Sequence, residues 1–96
     1  MNIKHDIYLI SDSTGETLDR IFLALKAQFS NFEYNNHQYS FTRTENQILK
    51  IIELAKKQKE TIILYTIVDD KLAKYLEEKA NKYNIPCFSV LGDLIL

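Results

Sequence analysis

The feature that most constrains this chain is a regular alternation of short apolar runs with amphipathic segments. Four runs of strand character are separated by three segments whose apolar residues recur every three or four positions, the period of a helix that buries one face. The resulting order, βαβαβαβ, requires a parallel sheet, because each helix must carry the chain back to the end at which the strands start. We therefore predict an α/β fold, an open three-layer sandwich with a four-stranded parallel sheet and helices on both faces.

The composition of each apolar run predicts its position in the sheet. The runs at 7–10 and 61–68 are almost continuously apolar, which is typical of central strands covered on both faces. The run at 32–41 is interrupted by polar residues and predicts an edge strand, and a shorter fourth strand is predicted at 87–91. Right-handed crossovers then favour the strand order 2-1-3-4, a doubly wound sheet of the flavodoxin or Rossmann type.

Length and charge set further limits. A chain of 96 residues, 46% hydrophobic, forms a single domain and cannot contain two independent cores. Twelve basic and thirteen acidic residues leave no surplus of positive charge, so we expect no nucleic-acid partner. The lone Cys87 cannot form an internal disulfide, and no apolar run is long enough for a signal peptide or a membrane span. We therefore expect a cytoplasmic protein without membrane contact.

The last residues, 92–96, look like the entry to a further helix, with Asp93 as its cap and an apolar Leu94-Ile95-Leu96 end. Two explanations are open: this end packs on a neighbouring chain in a homo-oligomer, or the sequence is the front of a longer protein. We favour the second explanation. Residues 1–96 are then one α/β domain, the N-terminal part of a two-domain protein.

Hydroxyl-bearing and charged residues follow the strands, where an open parallel sheet binds ligands. The segment after the first strand directly precedes a helix, whose first amides and positive dipole end favour an anion. Its hydroxyls can bind phosphate, or Ser13 and Glu16 can form a capping box, and both interpretations can hold together. The segment reads Ser11-Asp12-Ser13-Thr14-Gly15-Glu16-Thr17.

The segment after the second strand contains Arg43 and Thr44. Thr44 is a good cap for the second helix. Arg43 lies where a helix dipole repels a cation, so an anion between the two would explain its position. The alternative is that Arg43 is solvated or paired with Asp12 or Asp69.

The third strand is followed by Asp69 and Asp70, which suit the start of a helix electrostatically. A carboxylate at the end of a central strand can also bind Mg²⁺, so Asp69 is a candidate metal ligand. The hydroxyls of Tyr65 and Thr66 fall within an apolar strand and need partners wherever they are buried. The three loops should meet along one edge of the sheet.

Together these segments resemble the kinase–pyrophosphorylase family, the regulatory proteins of pyruvate, phosphate dikinase and of phosphoenolpyruvate synthase. The similarity covers essentially the whole chain, in the right order. The first motif, 11–17 behind an apolar strand, is the most specific. The later motifs are Phe41-Thr42-Arg43-Thr44, Leu64-Tyr65-Thr66-Ile67-Val68-Asp69 and Ile85-Pro86-Cys87 running into Leu91-Gly92.

The resemblance implies a bifunctional phosphotransferase. Family members use ADP to phosphorylate a threonine of the dikinase, and they remove that phosphate with inorganic phosphate, releasing pyrophosphate. The family's nucleotide-binding P-loop lies in the C-terminal part of a longer chain, and neither a Walker nor a Rossmann glycine motif occurs in this sequence. The chain is therefore expected to be the N-terminal domain and to be inactive by itself.

For the intact protein, the resemblance and the loop chemistry suggest Asp12, Arg43 and Asp69 as catalytic residues. Two alternatives stay open: a receiver-like phospho-acceptor domain, which would need a second acid near Asp12 and a Lys after a fifth strand, and a non-catalytic docking or oligomerisation module. The predicted phosphate- or substrate-binding residues are Ser11, Ser13, Thr14, Gly15, Thr17, Thr44, Tyr65 and Thr66.

Overall fold

The order of strands and helices in the computed structural model is the predicted one. The model describes residues 4–28 and 33–91, so the predicted helix entry at 92–96 lies outside the described residues. The elements are β1 (His5–Ser11), α1 (Glu16–Lys26), β2 (Tyr34–Tyr39), α2 (Glu45–Ala55), β3 (Thr61–Thr66), α3 (Asp70–Lys82) and β4 (Cys87–Ser89).

The four strands form a parallel sheet in the order β2-β1-β3-β4, which confirms the predicted class and topology. β1 is central and pairs on both sides, so that Tyr8 lies opposite His37 of β2 and opposite Ile63 of β3. Because all strands run in one direction, their carboxyl ends lie at a single edge of the sheet.

The two faces of the sheet carry separate apolar clusters, since neighbouring residues of a strand point to opposite sides. On one face Tyr8, Ile10 and Ile63 pack under α2 and α3. On the other face Ile7 and Leu9 pack under α1. The helices contribute Ile48, Ile51, Ile52 and Ala55 from α2, Leu72, Leu76 and Ala80 from α3, and Leu18 and Phe22 from α1.

The edge strand β2 is polar, as its sequence predicted. Its His37 Nε2 lies 2.9 Å from the Asp6 carboxylate of β1, and the His37 ring stacks on Tyr8 with 4.5 Å between ring centroids. Asn35 donates a further hydrogen bond to Asp6 at 3.3 Å. A carboxylate, an imidazole and an amide therefore occupy the outer part of this side of the sheet.

The predicted cap of the second helix is confirmed, and the third helix also has a side-chain cap. The Thr44 hydroxyl accepts a hydrogen bond from the Gln47 amide at 3.2 Å, and the Gln47 side chain accepts one from the Thr44 amide at 3.0 Å, which completes a capping box. The Asp69 carboxylate accepts a hydrogen bond from the Leu72 amide at 2.8 Å and caps α3.

The predicted capping box of Ser13 and Glu16 at the first helix is wrong. The N-cap of α1 is Gly15, at φ 86°, and no side chain caps this helix. Ser13 is unable to serve because its amide donates to Ser11 Oγ at 3.1 Å and its carbonyl accepts from the Phe41 amide at 2.9 Å. These contacts hold Ser13 to the strand ends, and the helix begins only after the chain has turned at Gly15.

Three strands end earlier than predicted, and the first of them is β2, which stops at Tyr39 instead of residue 41. β3 stops at Thr66 instead of residue 68, because Val68 already belongs to the turn that leads to the Asp69 cap, and β4 stops at Ser89 instead of residue 91. In the ranges 4–28 and 33–91, no helix has the length and apolar character needed to cross a bilayer.

The different starts of α1 and α2 can be tested by two matched substitutions. Thr44→Ala should lower the free energy of unfolding by about 1 kcal/mol, because it removes the side-chain cap of α2. Ser13→Ala should cost clearly less, because Ser13 caps no helix. Urea denaturation followed by circular dichroism measures both, and an equal loss in Ser13→Ala would contradict the cap at Gly15.

Candidate functional site

The loops that follow β1, β2 and β3 are joined by backbone hydrogen bonds at the carboxyl edge of the sheet. The Asp12 amide donates to the Thr66 carbonyl at 3.2 Å, and the Thr42 amide donates to the Ser11 carbonyl at 2.9 Å. The structure thus brings the three predicted loops together. We call this edge the rim, and it consists of residues 11–15, 40–44 and 66–69.

A buried hydroxyl cluster forms the floor of the rim. The Thr66 hydroxyl donates to Ser11 Oγ at 3.1 Å, and Ser11 Oγ lies 3.3 Å from Ser13 Oγ. Ser11 is 1% exposed and Thr66 is 8% exposed, whereas Ser13 is open to solvent. Ser11 and Thr66 therefore hold the rim together from below, and Ser13 is the member of the cluster that a ligand can reach.

Asp12 links the other two loops through both its side chain and its backbone. Its carboxylate accepts a hydrogen bond from the Val68 amide at 2.9 Å, after β3. Its carbonyl accepts one from Arg43 Nε at 2.9 Å, after β2. Asp12 thus fixes the position of the Arg43 guanidinium without neutralising it.

Arg43 is exposed, and its guanidinium lies 5.2 Å from the centre of the Phe41 ring. A guanidinium has five N–H donors. Within the part of the chain that the structure describes, its side chain is hydrogen-bonded through Nε alone and forms no ion pair. The alternative pairing of Arg43 with Asp12 or Asp69 is thus found only as the hydrogen bond to the Asp12 carbonyl, with no carboxylate ion pair, and most of the Arg43 donors face no protein acceptor among the described residues.

The start of α1 lies beside the end of β2. The Ser40 hydroxyl donates to the Thr14 carbonyl at 2.9 Å, and a Cβ at Gly15 would lie 3.6 Å from Ser40 Oγ. The left-handed backbone of Gly15, rather than lack of space, is what favours glycine there. Thr14 and Thr17 are exposed, one before and one after the turn, so their hydroxyls flank the first amides of α1.

Tyr65 is not brought to the rim. Its side chain points to the α3 face of the sheet, where the hydroxyl donates to Glu77, and the residue is 2% exposed. Thr66 follows it directly and therefore points to the opposite face, towards Ser11. Burial, followed by the Glu77 contact, raises the pKa of Tyr65 well above its ordinary value.

Asp69 lies at the rim, where its carboxylate caps α3, and Thr44 likewise caps α2. Among residues 4–28 and 33–91, no three His, Cys, Asp or Glu side chains are grouped closely enough to hold a metal ion by themselves. The role of Asp69 as a Mg²⁺ ligand stays a prediction.

Two rim residues, Ser40 and Thr42, were not among the predicted site residues. Ser40 ties the end of β2 to the turn before α1, and Thr42, 2% exposed, ties the same segment to Ser11. Ser40 falls near the end of the predicted edge strand, 32–41, where a hydroxyl looks like ordinary edge polarity, and Thr42 follows directly after that strand. The sequence did contain a signal for these two residues. Only a few residues separate β2 from the Thr44 cap, and this short spacing forces the segment between them to cross the rim.

The fold and the rim define a doubly wound α/β domain whose hydroxyl-rich edge carries one anchored guanidinium. The Kinase/pyrophosphorylase family profile matches residues 7–96, and the chain belongs to this family. A Pelagibacter ubique protein named as a pyruvate, phosphate dikinase regulatory protein is 62% identical over 96 residues, which are 100% of this chain and 35% of that protein.

Further relatives carry the same name. An Ehrlichia chaffeensis protein is 40% identical over 94 residues, which are 98% of this chain and 34% of that protein. An Agrobacterium fabrum protein is 40% identical over 89 residues, which are 93% of this chain and 32% of that protein. The chain thus spans about a third of the length of these curated relatives.

The raised pKa of Tyr65 predicts a loss of stability in alkali. The folded state favours the neutral phenol, so its contribution is complete below the ordinary pKa of 10.0 and is lost as the pH rises above it. Tyr8, whose pKa burial raises to about 12, acts in the same direction. Tyr65→Phe should therefore show a smaller drop in the free energy of unfolding between about pH 8 and about pH 11 than the unsubstituted chain. Urea denaturation at both pH values measures this, and an unchanged drop would contradict it.

Proposed function

We propose that this chain is the N-terminal domain of a bifunctional serine/threonine kinase and pyrophosphorylase that regulates pyruvate, phosphate dikinase or phosphoenolpyruvate synthase in the cytoplasm. In one direction a threonine hydroxyl of the target takes the terminal phosphoryl group of ADP, which leaves AMP. In the other direction inorganic phosphate takes that group from phosphothreonine, which releases pyrophosphate and restores the hydroxyl. Membership of the kinase/pyrophosphorylase family and the names of the relatives support this proposal.

The observation that carries the proposal is the position of Arg43. Phosphoryl transfer depends mainly on positioning and on positive charge beside the transferring group. Arg43 is always protonated, is anchored through one N–H to the Asp12 carbonyl and keeps its remaining donors for an anion. Its place at the rim suits it to bind the phosphoryl oxygens as their charge grows.

The start of α1 offers a second set of donors for the same anion. Because Gly15 has no side chain, no side-chain cap competes for the first amides of this helix. These amides carry the positive end of the helix dipole, and the hydroxyls of Ser13, Thr14 and Thr17 are open to solvent around them. We assign phosphate or phosphothreonine to this part of the rim, with Thr44 at its far side.

The carboxylates of the rim are suited to a different role, which is to bind a metal ion or to orient the attacking hydroxyl. The Asp12 carboxylate accepts a hydrogen bond from the Val68 amide, and Asp69, the next residue after Val68, accepts one from the Leu72 amide. Mg²⁺ usually takes one or two protein carboxylates together with substrate phosphates. This pair therefore suits an ion carried in with a nucleotide, and either carboxylate can also orient the attacking hydroxyl.

The nucleotide phosphates themselves are assigned to the remainder of the family chain. Only two glycines occur in this sequence, and neither begins a phosphate-binding glycine loop. The rim is then one wall of a cleft, and residues 1–96 alone are catalytically inactive. Family membership favours this function over a receiver-like domain, whose second acid near Asp12 does not occur in the sequence.

The role of Arg43 can be tested in a chimera that joins residues 1–96 to the part of the Pelagibacter ubique relative that this chain does not match. Arg43→Ala should lower the rates of both phosphorylation and dephosphorylation of the dikinase by at least about tenfold, because the charge is needed in both directions. Arg43→Lys keeps the positive charge but loses the planar guanidinium that the Asp12 carbonyl anchors. Its rates should therefore lie between those of Arg43→Ala and those of the unsubstituted chimera.

Arg20→Ala is the matched control, since Arg20 is an exposed guanidinium on α1 outside the rim. Circular dichroism of each variant checks the fold. Unchanged rates in Arg43→Ala would remove this residue from the site. The remaining alternative is a docking module. Calorimetry of the 96-residue chain with phosphate and pyrophosphate tests it, because the absence of binding at millimolar concentration would favour a docking module.

A further inference from the structure

Phe41, at the rim between β2 and α2, has a left-handed backbone conformation. Its φ is 54°, in the region that favours glycine and that bulky aromatic residues seldom adopt. Among the described residues, the only other non-glycine residue with a positive φ is Asn84, at the end of α3, where asparagine is common. The Phe41 side chain is 51% exposed, so burial of its ring does not compensate for the strain. Strain of this kind persists only where surrounding contacts enforce it, and it gathers at functional sites.

Contacts on both sides hold this strained backbone in place. The Phe41 amide donates to the Ser13 carbonyl at 2.9 Å, in the loop after β1. The Phe41 carbonyl accepts a hydrogen bond from Gln47 Nε2 at 3.3 Å, and Gln47 Oε1 accepts one from the Arg43 amide at 2.7 Å. The Gln47 side chain therefore does more than complete the capping box of α2, because the same amide group also fixes the backbone of Phe41 and of Arg43.

Two contacts hold the Arg43 side chain beside this turn. The guanidinium carbon lies 5.2 Å from the centre of the Phe41 ring, within the range of a cation–π contact. Arg43 Nε donates to the Asp12 carbonyl at 2.9 Å. An exposed arginine otherwise samples many rotamers, and the loss of this freedom on binding weakens its affinity for a ligand. A guanidinium that is ordered beforehand avoids this loss.

We propose that Phe41 is a positioning residue for Arg43: its ring holds the guanidinium in the position that the Asp12 carbonyl sets, and its strained backbone keeps the ring there. A glycine would suit the backbone better but would leave Arg43 without the ring. The ordering of Arg43 does not depend on the proposed chemistry, whereas its benefit for phosphoryl transfer rests on the proposed function. Phe41 itself need not touch the phosphoryl group.

NMR of the 96-residue chain tests the ordering without any measurement of activity. The sequence has two arginines, so two Nε signals are expected, and Arg43→Ala assigns them. Phe41→Gly and Phe41→Leu, which both lack the ring, should lower the heteronuclear ¹⁵N NOE of Arg43 Nε towards that of Arg20, the exposed internal control on α1. Phe41→Tyr keeps the ring and should keep the NOE.

Urea denaturation of the same variants separates positioning from a general structural role. The urea midpoint of Phe41→Gly should be at least as high as that of the unsubstituted chain, because glycine relieves the left-handed strain. An unchanged Arg43 NOE in Phe41→Gly would overturn the proposal. A lower NOE accompanied by a lower midpoint would show a general loosening of the rim and would also overturn it.

The consequence for catalysis is tested in the chimera. Phe41→Gly should lower the rates of phosphorylation and dephosphorylation by about two- to fivefold, the size of an exposed cation–π contact. In an Arg43→Ala background the same substitution should have no further effect, because Phe41 acts through Arg43. An equal loss in that background would indicate direct contact with the substrate and would overturn the proposal. Unchanged rates in Arg43→Ala, together with the expected NMR result, would overturn the proposed role of Arg43 and leave its ordering by Phe41 established.

Discussion

The pairing of β1 with a parallel strand on each side is the interaction on which the rest of the structure depends. It buries the central strand on both faces, and it brings the ends of β1, β2 and β3 to one edge. Every polar contact of the rim follows from this arrangement, since Asp12 can reach both the Val68 amide and Arg43 only from the end of a central strand. An antiparallel neighbour would have sent one of these loops to the other end of the sheet.

The rim and the apolar clusters of the sheet are held by different kinds of contact. The rim is made of loop ends, and its hydroxyls and charges are held by backbone hydrogen bonds that do not depend on the burial of apolar side chains. The apolar clusters lie on the two faces of the sheet, under α1 on one face and under α2 and α3 on the other. The substitution of an exposed rim side chain should therefore leave the apolar clusters largely intact.

The sequence was sufficient for the class and the topology, because 7–10 and 61–68 are too apolar for any place except the centre of a sheet. It also predicted the cap at Thr44, where the pattern and the contact are local. It misled at Ser13, because the hydrogen bonds that occupy this residue come from Ser11 and from the distant Phe41. The partner of Tyr65 was equally out of reach, since the pattern shows that a buried hydroxyl needs an acceptor but does not identify Glu77 on α3.

The polar side of the sheet has a consequence for how the domain behaves at high concentration. Strands left at a sheet margin can recruit strands from other molecules, and inward-pointing charge is one of the devices that prevent this. The Asp6 and His37 pair, stacked on Tyr8, places such charge beside β2. A foreign strand that added there would have to desolvate the pair without replacing its hydrogen bonds. The pair therefore disfavours the addition of a further strand beside β2.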